Sequence, residues 1–196
     1  MSNRVYTYTK VSELKNAPYF KEIAPLPQLT LSREMAVNMS YDMKIFKGNI
    51  MGFLNFSQRL FPGWNTSGQK FVYVTALNRF LRDKIAAVHD RAERDWLFGC
   101  KKNLYAAIQN MIRLEEARVR PEDMEASDRD LSLFLEMWKY LEQLDGSIAA
   151  FRNRLRELEQ PGNFEREAER AFRFHGNKAI VWNGFQFLTP IQKFVY

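Results

Sequence analysis

From Met35 to Tyr41 the chain alternates, with Met35, Val37, Met39 and Tyr41 on one side and Ala36, Asn38 and Ser40 on the other. That period of two predicts a strand with one apolar face and one small polar face. A solvated strand face usually carries Lys, Glu or Thr. A small, uncharged, hydrogen-bonding face suits a surface that must touch something closely. After it, "DMKIFK" predicts one or two helical turns stopped at Gly48, with Asn49 capping a second helix, "IMGFLNFSQRLF", that carries an apolar stripe.

Beyond Lys70 the apolar positions recur at three and four residues, the signature of helices with one buried face. Phe71, Val74, Leu77 or Asn78, Leu81, Ile85 and Val88 form a first stripe, and "HDRAERD" marks a connection. A second helix is expected from Trp96 to Val119, with Leu97, Cys100, Leu104, Ile108, Met111 and Leu114 on its buried side and Pro121 beyond its end. Ser127, followed by Asp130, then caps a helix whose stripe runs from Leu131 to Leu158. Unbroken, it would span on the order of 45 Å. Asn163 to Gly176 reads as a short helix, and Asn183-Gly184, between two strand-like runs, predicts a hairpin. At the other end, "RVYTYTKV" alternates as a short strand, and "NAPYFKEIAPLPQL" has three prolines and no period.

The expected fold is mainly α with a small β component. A ribbon-helix-helix-like DNA-binding module is elaborated by a long helical hairpin and a C-terminal β-hairpin. Residues 1–30 form an extended arm, 31–64 the module, and 65–196 a helical dimerisation or interaction region. The basis for the module is the order strand, short helix, glycine turn, second helix. Two chains of such a module each give a strand to an antiparallel ribbon that enters the major groove.

The 196 residues, 46% of them hydrophobic, can bury one sizeable core. There is no run of eighteen apolar residues and the first fifteen lack a signal-peptide core, so a cytoplasmic protein without a membrane partner is expected. The single cysteine, Cys100, excludes an intramolecular disulfide and a cysteine zinc cage, and its apolar neighbours predict plain packing.

The net charge of +6 is unevenly spread: residues 31–113 hold thirteen Lys and Arg against six Asp and Glu, and residues 114–159 hold seven against twelve. A basic front and an acidic middle suit an anionic partner for one part of the molecule and assembly for the rest. Enzymatic chemistry leaves no trace. His89 and His175 stand 86 positions apart, neither in a ligand spacing, and no phosphate loop, HExxH or CxxC occurs. No cofactor and no metal is expected, and the chain reads as a non-enzyme.

The base-reading candidates are Ala36, Asn38 and Ser40. Asn38 can pair with adenine through both amide atoms, Ser40 can bond several bases, and Ala36 can touch a thymine methyl. The phosphate-binding candidates are Arg33, just before the predicted strand, and Lys44, Lys47 and Asn49, at or near the N-terminus of the predicted second helix.

The order "AVNMSYDMKIFKGN", "GFLNFSQRLFPG", "DWLFGCKKNLYAAIQNM" resembles the AcaB-like transcriptional activator family of conjugative plasmids and integrating conjugative elements. The resemblance covers residues 30 to 120. It implies a homodimeric, sequence-specific DNA-binding regulator that binds operator DNA, contacts transcription machinery and activates conjugative-transfer genes. Asn38 and Ser40 would stand at the family's exposed strand positions, with Lys44 and Lys47 on its short basic helix. The family strand is richer in Thr, and its basic run between helices is reduced here to Lys47-Gly48-Asn49.

Two other classes compete. A protein-interaction or assembly factor of a mobile element would bind partners through the acidic stretch Asp128 to Glu159 without touching DNA. An RNA-binding protein would stack bases on Phe174, Trp182 or Phe185 in the aromatic tail.

Overall fold

The computed structural model describes residues 11–45, 47–172, 179–185 and 187–196. The protein is mainly helical with one small sheet. In chain order the elements are α1 (Val11–Leu14), α2 (Phe20–Ile23), β1 (Gln28–Thr30), α3 (Arg33–Asp42), β2 (Ile50–Gly52), α4 (Phe53–Leu60) and α5 (Ser67–Ala87). There follow α6 (Arg91–Lys101), α7 (Leu104–Glu116), α8 (Arg129–Glu142), α9 (Ser147–Leu158), α10 (Asn163–Phe172), β3 (Val181–Asn183) and α11 (Pro190–Val195). The chain divides into two compact units, residues 1–62 with 157–187, and residues 63–156 with 188–196.

In the first unit β1 lies between β2 and β3 and pairs with both in parallel. Parallel neighbours need a crossover, and α3 supplies it between β1 and β2. Leu29 at the sheet centre is fully buried, flanked by the buried side chains of Gln28 and Thr30. Each of these polar groups has a partner, as burial demands. Asn183 Nδ2 donates to Gln28 Oε1 at 3.2 Å and to the Leu29 carbonyl at 3.3 Å. Thr30 Oγ1 donates to the Ser32 carbonyl at 2.7 Å.

The stretch from Met35 to Tyr41 is helix, not strand, and no ribbon strand forms there. Ser32 caps α3 by accepting from the Met35 amide at 3.1 Å, and Glu34 lies in the first turn, where the helix dipole favours an anion. Ala36, Met39, Ser40 and Met43, at three- and four-residue spacing, are buried, whereas Val37 and Tyr41 from the expected apolar face are 44% and 66% exposed. A core on one side of the chain selected the 3.6 period over the shorter alternation.

The expected second helix is likewise divided. Ile50–Gly52 is β2, so the helix begins only at Phe53. Asn49 does not cap it, and its side-chain amide donates to the Pro25 carbonyl at 3.3 Å. The arm also folds. Leu14, Ile23 and Leu29 are core residues, with Leu14 and Ile23 in one apolar cluster with Ala36, Met39, Met43, Ile45 and Ile50. "RVYTYTK" lies outside the described residues.

Asn183-Gly184 makes no hairpin among the described residues. Asn183 ends β3, which pairs with β1 instead. Trp182 and Phe185 pack against Phe53, with ring centroids 5.8 and 6.1 Å away. That packing engages two of the three aromatics expected to stack on RNA bases, while Phe174 lies outside the described residues.

The second unit carries most of the helix. Thr66 caps α5, and Tyr73, Leu77 and Leu81 form its buried stripe, while Phe71, expected on that stripe, is 73% exposed. The predicted helix from Trp96 to Val119 is two helices, broken at Lys102-Asn103. The long helix over 131–158 is also two, α8 and α9. Gly146 adopts φ +70°, a left-handed conformation that stops a helix, and Asp145 accepts from the Ser147 amide at 2.9 Å to begin the next. Asp128, not Ser127, caps α8. No helix among the described residues is long and apolar enough to cross a membrane.

Buried charge holds this unit together. Glu115, 2% exposed, accepts from Trp138 Nε1 at 2.8 Å and from Arg152 Nε at 2.8 Å and Nη2 at 2.6 Å. Arg152 Nη2 also reaches Glu142 Oε1 at 2.5 Å. Glu116 accepts from Trp64 Nε1 and Asn65 Nδ2, both at 3.3 Å. Burial pushes both carboxyl groups above the ordinary carboxylate value, against the hydrogen bonds that pull them down. The Tyr73 hydroxyl, 2.5 Å from Ser147 Oγ, is pushed by burial up to about 12.

Candidate functional site

A cleft of about 460 Å³ opens in the first unit between α3 and α4, along the free edge of β2. Three elements build its walls. From α3 come Arg33, Ala36, Val37 and Ser40, whose spacing places them on one side of a helix. The segment leading into and through β2 contributes Lys47, Gly48, Ile50, Met51 and Gly52. From α4 come Asn55 and Arg59, one turn apart, and Phe172 at the end of α10 completes the lining.

The walls come close because Gly52 carries no side chain. A Cβ at Gly52 would stand 2.9 Å from the Arg33 amide nitrogen and 2.9 Å from the Ser32 carbonyl carbon, inside any real contact. The end of β2 therefore lies directly on the start of α3, which brings Arg33 to the same cleft as Asn55 and Arg59.

Among the described residues, three cations line the cleft and no carboxylate does. Arg33 and Lys47 are exposed. Lys47 Nζ donates to the Tyr41 hydroxyl at 3.2 Å and sits 4.7 Å from the centre of that ring, an arrangement that aims the ammonium without neutralising it. Arg59 Nη1 donates to the Ala171 carbonyl in the last turn of α10, where a cation is favoured, and its guanidinium has further donors to offer the cleft. The rest of the lining mixes the apolar Ala36, Val37, Ile50, Met51 and Phe172 with the polar Ser40 and Asn55 and with Gly48 and Gly52. The helix α4 begins at Phe53, after Gly52, with no side-chain cap and no acidic residue in its first turn.

The candidate residues separate into two groups. Arg33, Ala36, Ser40 and Lys47 meet at the cleft. Ala36 and Ser40, however, are 6% and 7% exposed, and Ser40 Oγ donates to the Val37 carbonyl at 2.8 Å, so both form wall and not a reading face. Asn38, Lys44 and Asn49 do not line it. Asn38 is exposed in a column with Glu34 and Asp42, four residues before and after it. Lys44 is exposed with φ +53°, and it, not Gly48, is the left-handed residue after α3. Asn49 is tied to Pro25.

Arg59 and Asn55 escaped the sequence reading. The four-residue spacing of these polar groups, opposite the buried Phe53, Phe56 and Leu60, was the signal that marked them as one exposed face.

No protein-family model, curated protein or solved structure matches this chain.

Proposed function

We propose that this protein is a non-enzymatic regulator that binds DNA through the cleft of its first unit. One observation carries the reading: Arg33, Lys47 and Arg59 converge on a single concavity that has no acidic group in its lining. Cations that line a cleft with no carboxylate among its described lining residues set up a positive field there, and a phosphodiester chain answers it. The regulatory role, the operator and the activation of conjugative-transfer genes come from the resemblance and belong to the same proposal, as does the homodimer. The paired-strand ribbon is dropped from it, because α3 occupies the stretch that would have supplied the strand.

Fluorescence anisotropy with labelled DNA tests the reading. Binding should weaken steeply as salt is raised, and Arg33→Ala and Lys47→Ala should each weaken it for every sequence tested. Binding untouched by both substitutions would remove the cleft from the reading.

A second reading, a protein-interaction factor without DNA contact, is favoured by the exposed rings of Phe71 and Tyr105 in the second unit, 73% and 60% exposed. It expects no DNA binding at any salt, together with partner binding lost in Phe71→Ser and Tyr105→Ser.

A further inference from the structure

We infer that the cleft accommodates one nucleotide turned out of the base stack, so that the protein binds DNA where it is single-stranded or locally opened. The inference rests on the DNA-binding reading above and names the form of DNA that the site takes.

Shape is the first argument. Phosphates of an intact duplex lie on the outside of a convex cylinder and are met by side chains reaching from a flat or protruding surface. Here the three cations surround a concavity of about 460 Å³, within the range that encloses a small organic ligand. A duplex can press only against its mouth. A nucleotide swung out of the stack can enter, as in proteins that take a base into a pocket.

Chemistry is the second argument. A site for phosphate alone needs only polar groups, yet Val37, 44% exposed, and the half-buried Met51 line this cleft alongside Arg33, Lys47 and Arg59, together with the largely buried Ile50 and Phe172. That division suits a ligand with an anionic end and a flat apolar body, which describes a nucleotide. The cations take the phosphate, and the apolar wall takes the faces of the base. Asn55, exposed on α4, brings an amide with both a donor and an acceptor to the edge of a base. Tyr41, 66% exposed and already under Lys47, offers a ring beside the cleft for a neighbouring base.

Entry has a physical cost, the unstacking and unpairing of the nucleotide. That cost is least where the strand is already open, and this sets the expected preference.

The test compares three labelled DNAs of one sequence by anisotropy: a full duplex, the same duplex with a four-base unpaired bubble, and the single strand. The bubble and the single strand should bind about tenfold more tightly than the duplex, in line with the gain from one or two stacked bases. Arg33→Ala should reduce bubble binding to near the duplex level, and Arg33→Lys should recover part of it. Asn55→Ala should weaken bubble binding and flatten differences between oligonucleotides that vary only in the unpaired bases. Circular dichroism of each variant confirms that it is folded.

Equal binding to duplex and bubble, still sensitive to Arg33→Ala, would overturn this inference and leave the DNA-binding reading standing. No binding to any of the three would overturn both. Displacement of the bubble by free thymidine monophosphate at concentrations matching the DNA would also overturn the assignment, moving the ligand from a strand to a free nucleotide.

Discussion

Glu116 shows what a single side chain does when the fold removes it from water. The residue is 9% exposed and its carboxyl accepts hydrogen bonds from the neutral groups of Trp64 and Asn65; burial outweighs these bonds and the pull of Lys70 and Arg113 and raises it above its ordinary value of 4.5. A carboxyl raised in the folded state contributes stability that is fully present below the unfolded value and is lost as pH climbs through the folded one. Glu116→Gln keeps an acceptor for both donors and removes the charge. The variant should match the parent in thermal stability at pH 4 and exceed it at pH 7, and a gap that fails to widen between those two pH values would exclude the mechanism. Glu115 differs because Arg152 reaches it with two donors. Arg152→Ala leaves that carboxylate without its cation and should cost about 3 kcal/mol, the lower end for a buried pair, since Arg152 itself retains 21% exposure. Urea unfolding measures the loss, and adding Glu115→Gln should recover part of it. Neither role was legible from "RLEEAR", which reads equally well as a solvated acidic turn at a helix end.

Among the elements, α3 and β2 decide the architecture around the cleft. The seven-residue alternation reads as a strand, but the same stretch carries Ser32 at the cap, Glu34 in the first turn, and Ala36, Met39 and Met43 at helical spacing. Two periods fitted the same letters, and a short segment gives neither an advantage until a core forms on one side. The cap lends itself to measurement. Ser32→Ala should destabilise the protein by about 1 kcal/mol, as read by chemical denaturation, whereas Ser127→Ala should be neutral because Asp128 provides the cap of α8. Gly52 is the stricter position. Gly52→Ala forces the start of α3 away from β2, two backbone segments with no flexible end to yield, and should cost about 1–3 kcal/mol. If Gly52→Ala unfolds at the parent's urea midpoint, the close approach does not constrain the fold. The helices of the second unit were the most legible elements, because their apolar stripes are long; their breaks at Lys102-Asn103 and Gly146 were not, since both stripes continue through them.

For the whole molecule, the net charge of +6 predicts attraction to polyanions but not where it acts. If the cleft is the contact, Arg33→Ala and Lys47→Ala should each lower the slope of log binding constant against log salt by about 0.7–0.9, one phosphate contact apiece. Lys139 is exposed on α8 in the second unit, and Lys139→Ala should leave the slope unchanged. The sequence by itself determined the helical class, the helix stripes of the second unit, the basic character of the first half and the cations Arg33 and Lys47, because periodicity and charge are local properties that neighbouring residues express together. Only the tertiary structure decided that Gln28, Met51 and Val181 belong to one parallel sheet, that Asn55 and Arg59 face the same cleft as Arg33, and that Ala36 and Ser40 form its wall. The sheet pairing and the shared cleft join residues from 22 (Arg33 to Asn55) to 153 (Gln28 to Val181) positions apart. Pairing and burial across such distances depend on which faces the whole chain can cover at once, and no short window of sequence contains that information.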